Sequence, residues 1–252
     1  MKALQLSPSE LDEDTRTFLV ECYAYNAVLS NISLGADSDS WTLEDATLLF
    51  PLIRNSKSRG SGMFCGVATD LYQLIPRVSI LARQRENDQE ILGSASWNTV
   101  STYLSLRSKI QNWTSSSSDI HLTTSGKIYQ QALLVFLETV YGKHDWKLEQ
   151  SPSVDRAFND VAKLFETLPV NLPISTTLCW PLAILGTCAR QIGQRNMIRQ
   201  RLEDMYEFLK LGNIQETKRF LDIVWSKSKY VNVNPIDLEW IMRDEGFVIL
   251  CM

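Results

Sequence analysis

Histidine is nearly missing from this 252-residue chain: only His121 and His144 occur, and no His-Glu-x-x-His pair. That excludes the common helix-borne zinc site and leaves little imidazole for acid–base chemistry. Both histidines fall in predicted loops and read as surface residues. No phosphate loop, Gly-x-Ser-x-Gly elbow or Gly-x-Gly-x-x-Gly fingerprint is present, so the usual nucleotide and hydrolase signatures are lacking. Cysteine is sparse as well: Cys22, Cys65, Cys179, Cys188 and Cys251 are widely spaced, odd in number and form no Cys-x-x-Cys. This is neither a disulfide framework nor a zinc site, and the cysteines read as small core hydrophobes in a reducing compartment, cytoplasm or nucleus.

Long apolar runs are also missing. None approaches the ~20 residues of a membrane span, and the apolar start Met1–Leu6 is too short for a secretory signal. The net charge is -4 with both signs interspersed, whereas a nucleic-acid face asks for a basic stripe or a pI above about 9. Direct DNA binding by this chain, membrane insertion, a metal and a cofactor are therefore not expected.

What the sequence does hold is helix patterning. Ser7-Pro8-Ser9-Glu10 is a start signal, and Leu11, Thr15, Phe18, Cys22, Tyr25, Leu29 and Ile32 follow at alternating spacings of four and three, up to Gly35. The run 42–54 opens on Thr42 and meets Pro51. Residues 63–84 carry a helical stripe interrupted by Pro76, which predicts a kink or two abutting helices. A helix is predicted over 95–113, followed by the polar loop Ser115–Ser118, the best candidate for local disorder. The span 124–141 is apolar on most of its surface and so central. Ser151-Pro152 opens the next helix, and Pro169 and Pro173 mark a short extended link. Residues 178–189 are apolar all round, hence enclosed. Spans 195–210 and 214–227 form a predicted antiparallel pair split at Gly212, and Asn234-Pro235 starts a last helix ending at Gly246. The apolar tail 247–252 should fold back on the body. No stretch alternates as a strand does. The expectation is an all-α, irregular bundle of about nine to ten helices, some kinked by proline, forming a single helical domain over 1–252.

Chemistry-bearing arrangements are few. Ser226 and Lys229 match a Ser-x-x-Lys spacing that arises readily by chance. Asp12-Glu13-Asp14 could suggest a magnesium-binding terpene cyclase, but acids are favoured in a first helical turn anyway. The matching second motif fails, since Asn159-Asp160 is followed by Lys163 and Thr167. Arg190, Arg195, Arg199 and Arg201 form the densest basic group; a solvated face with intrahelical pairs is one reading, an anion or acidic-partner patch the other. No catalytic residue is assigned.

The segment Leu178-Cys179-Trp180-Pro181-Leu182-Ala183-Ile184-Leu185-Gly186-Thr187-Cys188-Ala189, with Arg195 and Ile198 beyond it, resembles the Trp-Pro-Leu … Gly … Ala … Arg pattern in the C-terminal regulatory domains of fungal zinc binuclear-cluster transcription factors. Gly126–Leu134 resembles the family's Tyr-x-x-Ala-Leu helix, Cys65–Ala82 its upstream helix pair, and Trp240–Phe247 its closing helix. The resemblance spans roughly 15–252. It implies a nuclear, transcription-linked regulatory domain that senses a small apolar ligand or binds a partner protein. A second copy of the chain is a further candidate partner. The family's DNA reader is a six-cysteine, two-zinc module that nothing here can form, so the chain is expected to be a fragment of a larger factor or a homologue without DNA binding. A stand-alone helical scaffold and a repurposed helical-pocket enzyme are the rival readings. Helices 178–189 and 124–141 should be neighbours, with Trp180 and Ile184 meeting Tyr129 and Phe136 and Gly186 opposite; those four large residues are the ligand-pocket candidates. Pro181 is expected at a first helical position.

Overall fold

A computed structural model describes residues 12–30, 68–142, 152–230 and 233–246. The expectations for Ser7–Glu10, the run 42–54, His144 and the tail 247–252 lie outside the described residues. Among the described residues every regular element is helical: α1 (Glu13–Ser30), α2 (Thr69–Tyr72), α3 (Ile75–Leu92), α4 (Trp97–Gln111), α5 (Ile120–Tyr141), α6 (Pro152–Thr167), a 3₁₀ helix (Pro173–Leu178), α7 (Cys179–Cys188), α8 (Ile192–Leu209), α9 (Gly212–Ser226), two 3₁₀ turns (Ser228–Tyr230 and Pro235–Asp237) and α10 (Leu238–Asp244).

The helix starts follow from local chemistry. Asp12 accepts the Thr15 N–H at 2.9 Å ahead of α1. Ser96 accepts the Thr99 N–H at the start of α4, and Asp119 accepts from His121 and Leu122 at the start of α5. Gln191 and Gln194 form a reciprocal capping box on α8. Pro76, Pro152, Pro173 and Pro235 stand in the first turns of their elements, where a missing N–H costs nothing. At Pro76 the outcome is therefore two abutting helices, α2 and α3.

Several expectations need correction. Pro181 is the third residue of α7, not the first, because the 3₁₀ helix 173–178 runs straight into α7 and supplies its entry; the short link 169–172 before it is a turn. His121 lies in the first turn of α5, not in a loop. The serine loop is ordered by its own hydroxyls: Ser115 Oγ accepts from Ser117 N–H and Thr123 Oγ1 at 3.1 and 2.8 Å, and Ser117 Oγ accepts from Asp119 N–H at 3.0 Å. Between α8 and α9 the left-handed residue is Lys210 (φ 52°), while Gly212 is already the first residue of α9.

α5 is the central element, in contact with α2, α3, α4, α6 and α7. Two side chains explain its tight fit to α4. A Cβ on Gly126 would lie 2.4 Å from Trp113 Cη2, so only glycine admits the indole there. Gln130 Nε2 donates to the carbonyls of Ile110, Gln111 and Trp113 at 2.7, 3.3 and 3.2 Å, satisfying the end of α4 across the interface. All ten residues of α7 are buried. It is enclosed by α5, α8, α9 and the preceding 3₁₀ helix, as expected of a segment apolar around its circumference.

Candidate functional site

Five rings of the core form one continuous row. Tyr25 on α1 lies 5.6 Å from Tyr72 on α2, and Tyr72 lies 4.7 Å from Tyr129 on α5. Tyr129 stacks parallel to Trp180 on α7 at 5.7 Å, and Phe136, two turns along α5, meets Trp180 edge-on at 6.3 Å. Offset stacks and edge contacts of this kind add about 0.5–1.5 kcal/mol each beyond burial. The four sequence-derived candidates thus share one region: Tyr129, Phe136 and Trp180 touch through their rings, and Ile184 lies one turn beyond Trp180 on α7. Their exposures are 2%, 2%, 1% and 0%. Sequence reasoning placed Tyr25 on the buried stripe of α1 but missed Tyr72. Its place beside Leu71 at the abutment of α2 and α3 is set by Pro76, which only a known helix break would reveal.

Hydrogen bonding divides the row. Tyr129 O–H donates to the Thr177 carbonyl in the 3₁₀ helix before α7. Trp180 Nε1, by contrast, is fully enclosed with no acceptor. Gly186 faces α9 rather than α5, and its carbonyl accepts the Trp225 Nε1–H at 2.9 Å. Helix spacing sends residues 180 and 186 to different sides of α7.

The remaining candidates disperse. Arg190 donates to the Val233 carbonyl, Arg195 to the Ala189 carbonyl at 3.0 Å, and Arg199 to Asp222 on α9 at 2.9 Å, while Arg201 is buried against the Phe165 ring. The basic group is therefore neither a solvated face nor one anion patch: each arginine serves a different contact. Ser226 Oγ donates to the Ile223 carbonyl, and Lys229 Nζ is held by Asp244 at 2.5 Å, so the Ser-x-x-Lys pair is not assembled. Among the described residues no group of three or more His, Cys, Asp or Glu side chains could hold a metal, and no helix is long and apolar enough to cross a membrane.

The perturbed titrations have structural causes. Burial pushes the Cys179 and Cys188 thiols up to about 11 and about 12. Burial raises the Tyr103 phenol to about 12, with the Glu138 charge adding to it. Near the end of α10, hydrogen bonds from Lys227, Tyr230 and Lys229 hold Glu245 down at about 2. None of these groups lines the α8–α9 cleft or the α6–α8 cleft described next.

Two surface clefts stand out. One of about 1060 Å³ runs between α8 and α9, with Glu203, Asp204, Glu207, Glu216 and Asp222 set against Lys218 and Arg219. The other, of about 420 Å³, lies between α6 and α8.

No curated protein and no solved structure matches the chain. The family model of the fungal specific transcription factor domain matches residues 1–250, and the chain belongs to that family.

Proposed function

We propose that residues 1–252 act as one regulatory domain of a fungal transcription factor in the nucleus, and that an apolar effector engaging the Trp180 ring row sets its output. Family membership supports the regulatory role. The effector reading is carried by one observation: the enclosed Trp180 Nε1–H has no acceptor. A buried indole N–H ordinarily finds a partner, and leaving one unmade costs about 1–3 kcal/mol. An apolar molecule bearing one acceptor, such as a ketone or ether oxygen, would satisfy that donor while its body packs on Tyr129, Phe136 and Ile184. A partner protein could use the same row only by exposing it, which makes the small effector the better fit to side chains at most 2% exposed. DNA contact would come from a separate module.

The test is a reporter assay with the chain tethered to an unrelated DNA-binding domain, comparing wild type with Trp180→Phe. The variant keeps a ring and removes the N–H donor. The expected result is several-fold altered reporter output at unchanged protein level. Output equal to that of the bare DNA-binding domain for both chains would remove the regulatory role. A wild-type effect left untouched by Trp180→Phe would remove the assignment to Trp180.

A further inference from the structure

Arg201 is a buried charged side chain with two donors that find no acceptor. The residue is 6% exposed, its Nε and Nη2 are fully enclosed, and neither has a hydrogen-bond acceptor. Its guanidinium carbon lies 4.8 Å from the centre of the Phe165 ring, which offers a π face and no lone pair. The nearby Asp204 carboxylate favours the charged guanidinium from a distance but makes no hydrogen bond to it, its Oδ1 accepting from Gln200 Nε2 at 2.8 Å. Burial lowers the guanidinium to about 10, still high enough to keep it charged at neutral pH. A buried cation whose donors lack acceptors is costly, and guanidinium presents a fork of donors matched to a two-oxygen anion.

The surroundings of Arg201 suggest where such an anion would enter. α6 and α8 start side by side, with Asp155 Oδ1 accepting from Gln191 Nε2 and Gln194 Nε2 at 3.2 and 2.8 Å. Ten residues further along each helix, at Phe165 and Arg201, the two touch again. The helices therefore run parallel and in step. The cleft of about 420 Å³ occupies the stretch between these contacts, walled by Phe158, Asn159, Ala162 and Met197. Ala162 and Met197 are the wall residues nearest the second contact, three and four positions short of Phe165 and Arg201, one helical turn. Met197 is unbranched and adaptable, a side chain suited to moving aside for a ligand. The cleft thus has a polar mouth at Asp155, Gln191 and Gln194, a mixed wall in which Asn159 stands beside the apolar Phe158, Ala162 and Met197, and a buried guanidinium one turn beyond its inner end.

We infer that the α6–α8 cleft binds a small amphipathic oxyanion, its carboxylate or phosphate pairing with Arg201 and its apolar part lying along Phe158, Ala162 and Met197. This site stands apart from the Trp180 row and does not depend on it.

The experiment is calorimetric titration and thermal unfolding of the whole chain with decanoate, decanol and inorganic phosphate, on wild type, Arg201→Met and Ala162→Phe. Arg201→Met keeps the length of the side chain and removes the charge; Ala162→Phe fills the cleft and leaves Arg201 in place. Wild type is expected to bind decanoate and to melt roughly 3 °C or more higher at tenfold saturation. Arg201→Met, which should fold at least as stably without ligand, is expected to bind at least tenfold more weakly, the usual scale of a lost charge-assisted pair. Ala162→Phe, folded by circular dichroism, is expected to lose binding as well. Phosphate binding that depends on Arg201, without decanoate binding, supports the oxyanion site and assigns it to a phosphate instead. Failure of both anions to bind wild type, equal binding by Arg201→Met, or decanol binding as tightly as decanoate would each overturn the inference, and the first would leave Arg201 to the acidic side chain of a partner protein.

Discussion

Gly186 on α7 and Leu221 on α9 fit only because one of them has no side chain: a Cβ on Gly186 would lie 2.5, 2.7 and 3.1 Å from Leu221 Cδ1, Cδ2 and Cγ. All three branch atoms of a fully buried leucine would have to move together. In an exposed helix Gly→Ala gains about 1 kcal/mol. Here the clash reverses the sign, and Gly186→Ala is expected to cost ~1–3 kcal/mol, the usual range for overpacking. Urea unfolding measures it. Adding Leu221→Val should recover part of the loss, so additive costs in the double variant would remove the contact as the cause.

Trp180 separates packing from ligand recognition. Trp180→Ala removes a ring that touches both Tyr129 and Phe136 and is expected to cost ~3–5 kcal/mol. Trp180→Phe should cost roughly 2 kcal/mol or less, because the lost area is partly offset by removing an unsatisfied N–H. Equal destabilisation by the two variants would mean that a phenyl ring restores none of the packing on Tyr129 and Phe136.

The helices were legible because caps and stripes agree in this chain. Asn234 and Pro152 each mark a start that the structure keeps. The enclosure of α7 was legible from its lack of a polar face. Long-range fit was not. Nothing local to Gly186 says that Leu221 will occupy its place, and nothing local to Gln130 says that it will cap another helix. Arg201 was grouped with three neighbouring arginines by sequence proximity. Helical spacing separates it from them: it falls three after Ile198 and four before Met205, both buried, so its place on the inward face could have been read from the stripe alone. Trp180 and Tyr129 were paired correctly because both sit on the two most apolar helices, whereas Tyr72 depends on the break at Pro76.

Acid stability should depend on Glu245. Its carboxylate accepts from Lys227 Nζ at 2.5 Å, Tyr230 O–H at 2.6 Å and Lys229 Nζ at 3.0 Å, which hold it at about 2 against an ordinary 4.5. A carboxylate depressed in the folded state contributes stability that is complete above its unfolded value and is lost as pH falls towards the folded one. Wild type should therefore lose stability between pH 4.5 and 2, and Glu245→Gln should flatten that limb without altering its direction. Urea midpoints at pH 7, 4 and 2.5 give the comparison; parallel limbs in the two proteins would rule Glu245 out.

The thiols offer a probe of native packing. Cys179 and Cys188 are fully buried, with thiols raised to about 11 and about 12, so almost no thiolate is present at pH 8 and no reagent reaches it. Iodoacetamide at pH 8 followed by peptide mass mapping should leave both unmodified in the native chain and label both in urea. Native labelling of either would mean that α7 opens on the timescale of the reaction.

Gln130 tests whether α4 is held from outside. Its amide nitrogen reaches three carbonyls at the end of α4, where a helix leaves acceptors unpaired and carries partial negative charge. Gln130→Ala should cost ~1–2 kcal/mol, since half-buried carbonyls lose a donor that water replaces incompletely. Gln130→Lys should recover part of this, because a cation suits a helix C-terminus. Gln130→Glu should be the worst of the three at pH 7, placing a carboxylate against oxygens with no proton to share. Its deficit should shrink as pH falls below the ordinary glutamate range and the carboxyl regains a donor. Chemical denaturation of the three variants at pH 7 and pH 4 fixes the order. If Glu and Lys proved equally tolerated, the end of α4 would not depend on this donor, and Gly126 beneath Trp113 would remain as the contact holding α4 to α5.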